Sequence, residues 1–99
     1  MITDNEKVKK EVKDIIDNKV VSWGFLKWLN NKEREIREDI INYIIMLLIG
    51  KENKFIMTVI FLIFRKEIRE IVNDTKTVTK EKLLNLIDKI KAYYQAKKK

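Results

Sequence analysis

Residues 40–64 read Ile40-Ile-Asn-Tyr-Ile-Ile-Met-Leu-Leu-Ile49, then Gly50-Lys-Glu-Asn-Lys54, then Phe55-Ile-Met-Thr-Val-Ile-Phe-Leu-Ile-Phe64. Only Asn42 interrupts the first apolar run and only Thr58 the second. As helices, both segments are apolar on every side and need cover on every side. The rival is a β-hairpin with strands 40–49 and 55–64, a flat, unpatterned ribbon whose register slips easily. Helical spacing continues beyond both runs, which decides for helices.

Working outward, Asn31 can cap a helix over 32–49 with Gly50 just past its end, and Asn53 can cap a second over 54–73. Glu35-Ile-Arg-Glu38 precedes the first run and Glu67-Ile-Arg-Glu70 follows the second. An antiparallel fold-back across Gly50–Lys54 brings both tetrads to one end. The hairpin then has one charged end and one apolar end.

Upstream, Thr3 and Glu6 have capping-box spacing, and Val8, Val12, Ile15 and Ile16 form a single stripe of a helix ending near Asn18. Val20–Leu29 follows, with Val21, Phe25, Trp28 and Leu29 on one face of a short helix that Asn30-Asn31 stops. Gly24 within it costs about 1 kcal/mol of helix propensity. Downstream, 73–77 is a polar break and Thr79 caps a last helix. Val78 is placed to staple against Leu83. Leu83, Ile87, Ile90 and Tyr94 form the apolar stripe of that helix. The expected fold is all-α: five helices around the central antiparallel hairpin, in one domain over 1–96 with a basic tail at 97–99.

A chain of 99 residues buries only about 60–70% of its unfolded surface. Yet 45% of this chain is apolar, and Ile alone fills sixteen positions. Closing a homodimer is the usual way to bury such a surplus. There is no Cys, His or Pro, and only two Gly. Thiolate and imidazole chemistry, disulfides and the common zinc and iron–sulfur ligand sets are therefore excluded. No metal or other cofactor is expected. Met1–Glu6 lacks the basic and apolar regions of a signal peptide, so an intracellular protein is expected.

Nothing catalytic stands out. Ser22 is the only Ser and has no His to activate it. Glu33, Glu35, Glu38 and Asp39 alternate with Lys32, Arg34 and Arg37, the spacing of ordinary helix-surface ion pairs. A non-enzymatic protein is expected. Trp23, Phe25 and Trp28 read first as core, with a subunit interface as the competing role. The candidate interface set is Trp23, Phe25, Trp28, Phe55, Phe61 and Phe64. Met46 and Met57 read as gap-fillers.

The net charge of +7 is unevenly placed. Residues 1–50 carry nine basic and nine acidic groups, whereas residues 76–99 carry eight Lys against Glu81 and Asp88. A solvated helix with a basic tail is the plain reading. The alternative is phosphate-directed, sequence-unspecific nucleic-acid binding by Lys80, Lys82, Lys89, Lys91, Lys97, Lys98 and Lys99, with Tyr93 and Tyr94 as stacking groups. Against it, helical projection spreads these lysines over both sides of the apolar stripe. An anionic membrane surface is a third and weaker reading. A membrane-spanning hairpin is rejected, because each apolar run is half the roughly 20 residues that spanning needs.

The abundant Ile and Lys, the dense charges of Lys32–Asp39 and the absence of Cys resemble thermostable proteins, although eight Asn residues fit that pattern poorly. As a whole, the chain resembles small proteins of the filamentous viruses of hot-spring archaea, the lipothrixvirus and rudivirus group that includes the Acidianus filamentous viruses. Val20–Leu29 and Lys32–Ile49 carry the resemblance. It implies a heat- and acid-stable viral protein of the host cytoplasm and carries over no functional residues. That group's DNA-wrapping coat proteins are also helical, but this chain is shorter and shows no pattern that aligns with them. The expected role is structural or protein-interacting, with the nucleic-acid module as the alternative.

Overall fold

The computed structural model describes residues 5–50 and 53–98. Helix α1 (Glu6–Asn18) is capped by Asn5, whose side chain accepts from the Lys7 N–H at 2.9 Å. Glu6 is thus the first helical residue rather than part of a capping box, and Thr3 lies outside the described residues. Lys19, at φ 55°, closes the helix in the left-handed conformation. Val8, Val12 and Ile15 are buried, and Ile16 packs against their edge.

Helix α2 (Trp23–Asn30) is capped by Ser22, which accepts from the Phe25 N–H at 3.0 Å and donates to Glu11 Oε2 at 2.9 Å. The one serine therefore has a structural partner on α1. Phe25, Leu26 and Leu29 are buried, and Val21 is buried just before the helix begins. Asn31 does not cap the next helix. It ends α2, its N–H held by the Lys27 and Trp28 carbonyls, and the corner takes two further residues. Helix α3 (Arg34–Ile49) starts from Glu33 with no side-chain cap.

Ile40, Ile41, Ile44, Ile45 and Ile49 make α3 the centre of the molecule, packed on by α1 and by three later helices. Gly50 ends it at φ 89°, its N–H donating to the Met46 carbonyl at 2.8 Å. Asn53 precedes the return helix as expected, but its side chain does not cap that helix. Its Nδ2 donates instead to the Ile49 carbonyl and to the Tyr94 hydroxyl, tying the hairpin tip to the last helix.

The single helix expected over 54–73 is two helices, α4 (Lys54–Ile63) and α5 (Arg65–Val72). Phe64, at φ −101° and ψ 24°, interrupts them, and the ladder resumes with Ile68 N–H donating to Phe64 O at 2.9 Å. Neither Pro nor Gly marks the break. It falls at the end of Val59–Phe64, a run of β-branched, aromatic and leucine side chains poor in strong helix formers. There Phe64 packs edge-on against Tyr93, with ring centroids 6.0 Å apart.

Helix α6 (Lys80–Lys98) follows, with Thr79 Oγ1 accepting from the Lys82 N–H at 3.2 Å. Val78 and Leu83 are both buried, as a hydrophobic staple requires, and Leu86, Ile87 and Ile90 complete the buried face of α6. The described residues thus form six helices rather than five. They contain no strand and no helix long and apolar enough to cross a membrane.

Candidate functional site

The two ends of the hairpin differ as their composition implies, but the charged end is built differently. None of the ion pairs expected along Lys32–Asp39 forms among the described residues. Lys32 instead stands 5.3 Å over the Trp28 ring. Arg37 is only 1% exposed. Its Nε donates to the Lys32 carbonyl at 3.0 Å and its Nη2 to the Asn30 carbonyl at 3.0 Å. Its Nη1 reaches the carbonyls of Ile71 at 3.2 Å, Asn73 at 3.0 Å and Lys76 at 2.9 Å.

A buried cation is costly unless paired or hydrogen-bonded. Here the compensation comes from backbone oxygens: those of Asn30, Ile71 and Asn73 at the C-terminal ends of α2 and α5, where the helix dipoles are negative, and those of Lys32 and Lys76 in the connections beyond them. Arg37 falls in phase with Ile41, Ile44 and Ile45, the one signal in the sequence for its burial. Asn30 completes the junction. Its Oδ1 accepts from the Val78 N–H at 2.7 Å, while its Nδ2 donates to the Val78 carbonyl at 3.0 Å and to the Leu26 carbonyl at 2.9 Å. Arg37 and Asn30 thus form a structural joint in which no buried side-chain polar atom lacks a partner.

The α6 lysines are also largely engaged. Glu70 takes both Lys76 at 2.9 Å and Lys82 at 3.5 Å, and Lys89 lies 4.0 Å from Glu67. The hydrogen bond from Lys76 holds the Glu70 carboxyl below the usual carboxylate range, with Lys82 adding to the effect and partial desolvation opposing it. Lys91 donates to the Ile16 carbonyl at 2.7 Å near the end of α1, and Lys97 sits 5.7 Å over the Tyr93 ring. Of the candidate phosphate-binding lysines, Lys80 alone is exposed without such a partner among the described residues. Lys99 and the Lys98 side chain lie outside those residues.

At the other end, α4 is incompletely covered. Only Ile60 is fully buried there. Phe55 is 80% exposed, Leu62 68% and Ile63 50%. With half-buried Val59 these residues follow i, i+4, i+7, i+8 spacing, so they form one outward apolar stripe about two turns long.

The six candidate interface aromatics do not share a surface. Phe25 is in the core, stacked on Trp28 with centroids 5.8 Å apart, and Phe61 and Phe64 are half-buried against the core. Trp23, 79% exposed, lies at the mouth of a cleft with Thr77–Glu81 at the start of α6. Phe55 follows Asn53, which contacts Tyr94 near the other end of α6. Lys80 and Tyr94 are separated by about 21 Å of helix.

Among the described residues no cluster of acidic side chains could hold a metal ion. No family model, curated protein or solved structure matches the chain.

Proposed function

We propose that this chain is a non-enzymatic helical protein whose role is association, and that a second copy covers the outer face of α4 to close a homodimer. The observation that carries the reading is the stripe Phe55, Val59, Leu62 and Ile63, three of whose side chains are at least half exposed on one helix face, a contiguous apolar patch of the kind that marks association surfaces.

A two-fold interface is self-complementary, and a single straight stripe on one helix meets that condition by pairing antiparallel with itself. Val59, midway between Phe55 and Ile63, then lies close to the axis. We assign the dimer a structural or protein-interaction role. Its viral setting rests on the resemblance of 20–29 and 32–49 to proteins of filamentous archaeal viruses. Nucleic-acid binding by the C-terminal helix has less support, because Lys82, Lys89, Lys91 and Lys97 each have an intramolecular contact.

The absence of native Cys makes the test direct. Val59→Cys treated with a short bismaleimide should give covalent dimer in high yield, and Lys10→Cys on the outside of α1 should not. Equal yields from the two variants, or no dimer from Val59→Cys, would overturn the assignment.

A further inference from the structure

The chain has only four Arg among its 22 basic residues. Arg37 is the buried joint. The other three, Arg34, Arg65 and Arg69, are exposed and converge on one face. Arg65, Lys66, Arg69 and Asn73 line one shallow cleft with Glu70 and Lys76. Arg34, Arg69, Val72, Asn73 and Asp74 line the adjoining one. Arg69 and Asn73 belong to both, so the clefts form a single track across α5 and the start of α3. Neither Arg34, Arg65, Lys66 nor Arg69 has an ion pair, hydrogen bond or ring contact among the described residues.

The helix projection explains why. Around the buried stripe Ile68, Ile71 and Val72, the acids Glu67 and Glu70 lie on one flank, where they meet Lys89, Lys76 and Lys82. Arg65, Arg69 and Asn73 lie at i, i+4 and i+8 on the other flank, with Lys66 beside them. α5 therefore turns its carboxylates toward Lys76 of the connection and the lysines of α6 and leaves its guanidiniums without an ion pair among the described residues. Asp74 is the one carboxylate lining the track that has no cation of its own.

We propose that this arginine track binds the phosphate backbone of a nucleic-acid strand without sequence preference. The guanidinium fork matches phosphate oxygens in bidentate geometry, which an ammonium does not. Arg65 and Arg69 stand about 6 Å apart along the helix, and Arg34 lines the adjoining cleft with Arg69. Cations repeated over a few ångströms suit a polymer of repeating charge better than a single small anion. The site is separate from the C-terminal lysines, of which Lys82, Lys89, Lys91 and Lys97 already have intramolecular contacts, and it does not depend on the dimer.

The test is fluorescence anisotropy with a labelled random single-stranded oligonucleotide and the corresponding duplex, at about 50 and 200 mM salt. Three variants are compared with the native protein: Arg34→Gln/Arg65→Gln/Arg69→Gln, the charge-matched Lys80→Gln/Lys89→Gln/Lys97→Gln, and Arg34→Lys/Arg65→Lys/Arg69→Lys. All substituted side chains are on the surface, and circular dichroism checks that each variant folds. Native protein should bind with a steep salt dependence. The Arg-to-Gln set should lose about tenfold or more and flatten the salt slope by about two to three. The Lys-to-Gln set should lose less than about threefold. The Arg-to-Lys set should keep the salt slope but bind more weakly. Absence of binding at 50 mM salt, equal losses from the Arg and Lys sets, or a polyglutamate peptide competing as well as unlabelled oligonucleotide would each overturn the proposal.

Discussion

Arg37 donates to the main-chain carbonyl of Asn30 at 3.0 Å, and the two side chains hold the same connection at Asn73, Lys76 and Val78. The guanidinium holds the carbonyls of Asn73 and Lys76. The carboxamide pairs with both backbone groups of Val78 as a strand would. Between them they fix the path from α5 to α6, and hence the angle at which α6 lies across the hairpin.

Removing the guanidinium therefore leaves several buried or half-buried carbonyls without donors. Arg37→Met is expected to destabilise the fold by roughly 3–5 kcal/mol, a large share of the stability of a small domain. Arg37→Lys should recover less than half of that, since an ammonium offers three donors on one atom rather than a planar fork. Urea unfolding followed by circular dichroism measures both. A loss below about 1 kcal/mol for Arg37→Met would show that water replaces the guanidinium without penalty.

The two glycines should respond in opposite directions. Gly24 lies in the first turn of α2, and a Cβ there meets nothing within 4 Å. Gly24→Ala should stabilise by about 0.4–1 kcal/mol through helix propensity and a less flexible unfolded chain. Gly50, at φ 89°, is in backbone territory that a Cβ disfavours although space is available. Gly50→Ala should destabilise by about 1 kcal/mol or more. Thermal unfolding of the pair tests the contrast, which fails if both variants shift in the same direction.

Glu70 should titrate below the roughly 4.3 of a free Glu side chain, because the Lys76 hydrogen bond favours its charged form. With its pKa lower in the folded than in the unfolded state, its contribution to stability is full above the unfolded value. That contribution is lost as the pH falls through the folded one. A carboxyl-carbon NMR titration should show the low midpoint, and Lys76→Gln should move it upward. A midpoint unchanged by Lys76→Gln would contradict the assigned cause.

Local signals in the sequence carried much of the fold. The stripe of Val8, Val12 and Ile15, the Thr79 cap and the Gly50 stop all act within a turn or two, and each is where its spacing indicates. The two EIRE tetrads do meet at one end, since Arg37 of the first binds the carbonyls of Ile71 and Asn73 just past the second. The misread features depend on partners far along the chain. Asn31 resembles a cap but is used to end α2. Arg37 resembles a surface cation, and only the return of α5 and the 73–76 connection buries it. The break at Phe64 coincides with its packing against Tyr93, a contact no local pattern announces.

The functional surfaces follow the same rule. Counting charges along the chain directs attention to the C-terminal lysines, because it cannot show that Glu67 and Glu70 lie across from them. It equally conceals that Arg34, Arg65 and Arg69 are left facing solvent together. Of the apolar face of α4, the surplus and Phe55 were legible, but not Val59, Leu62 and Ile63. Which of Phe55, Phe61, Leu62 and Phe64 stay outside depends on how α4 sits against α3.

Static light scattering on purified protein at micromolar concentration, alongside Leu62→Lys, tests the central claim most directly. The native chain should scatter as twice its 11.9 kDa, and Leu62→Lys should fall to the monomer mass with its helical signal intact. A native mass of one chain, or a Leu62→Lys variant that stays dimeric, would contradict the assignment of the α4 face to a second copy.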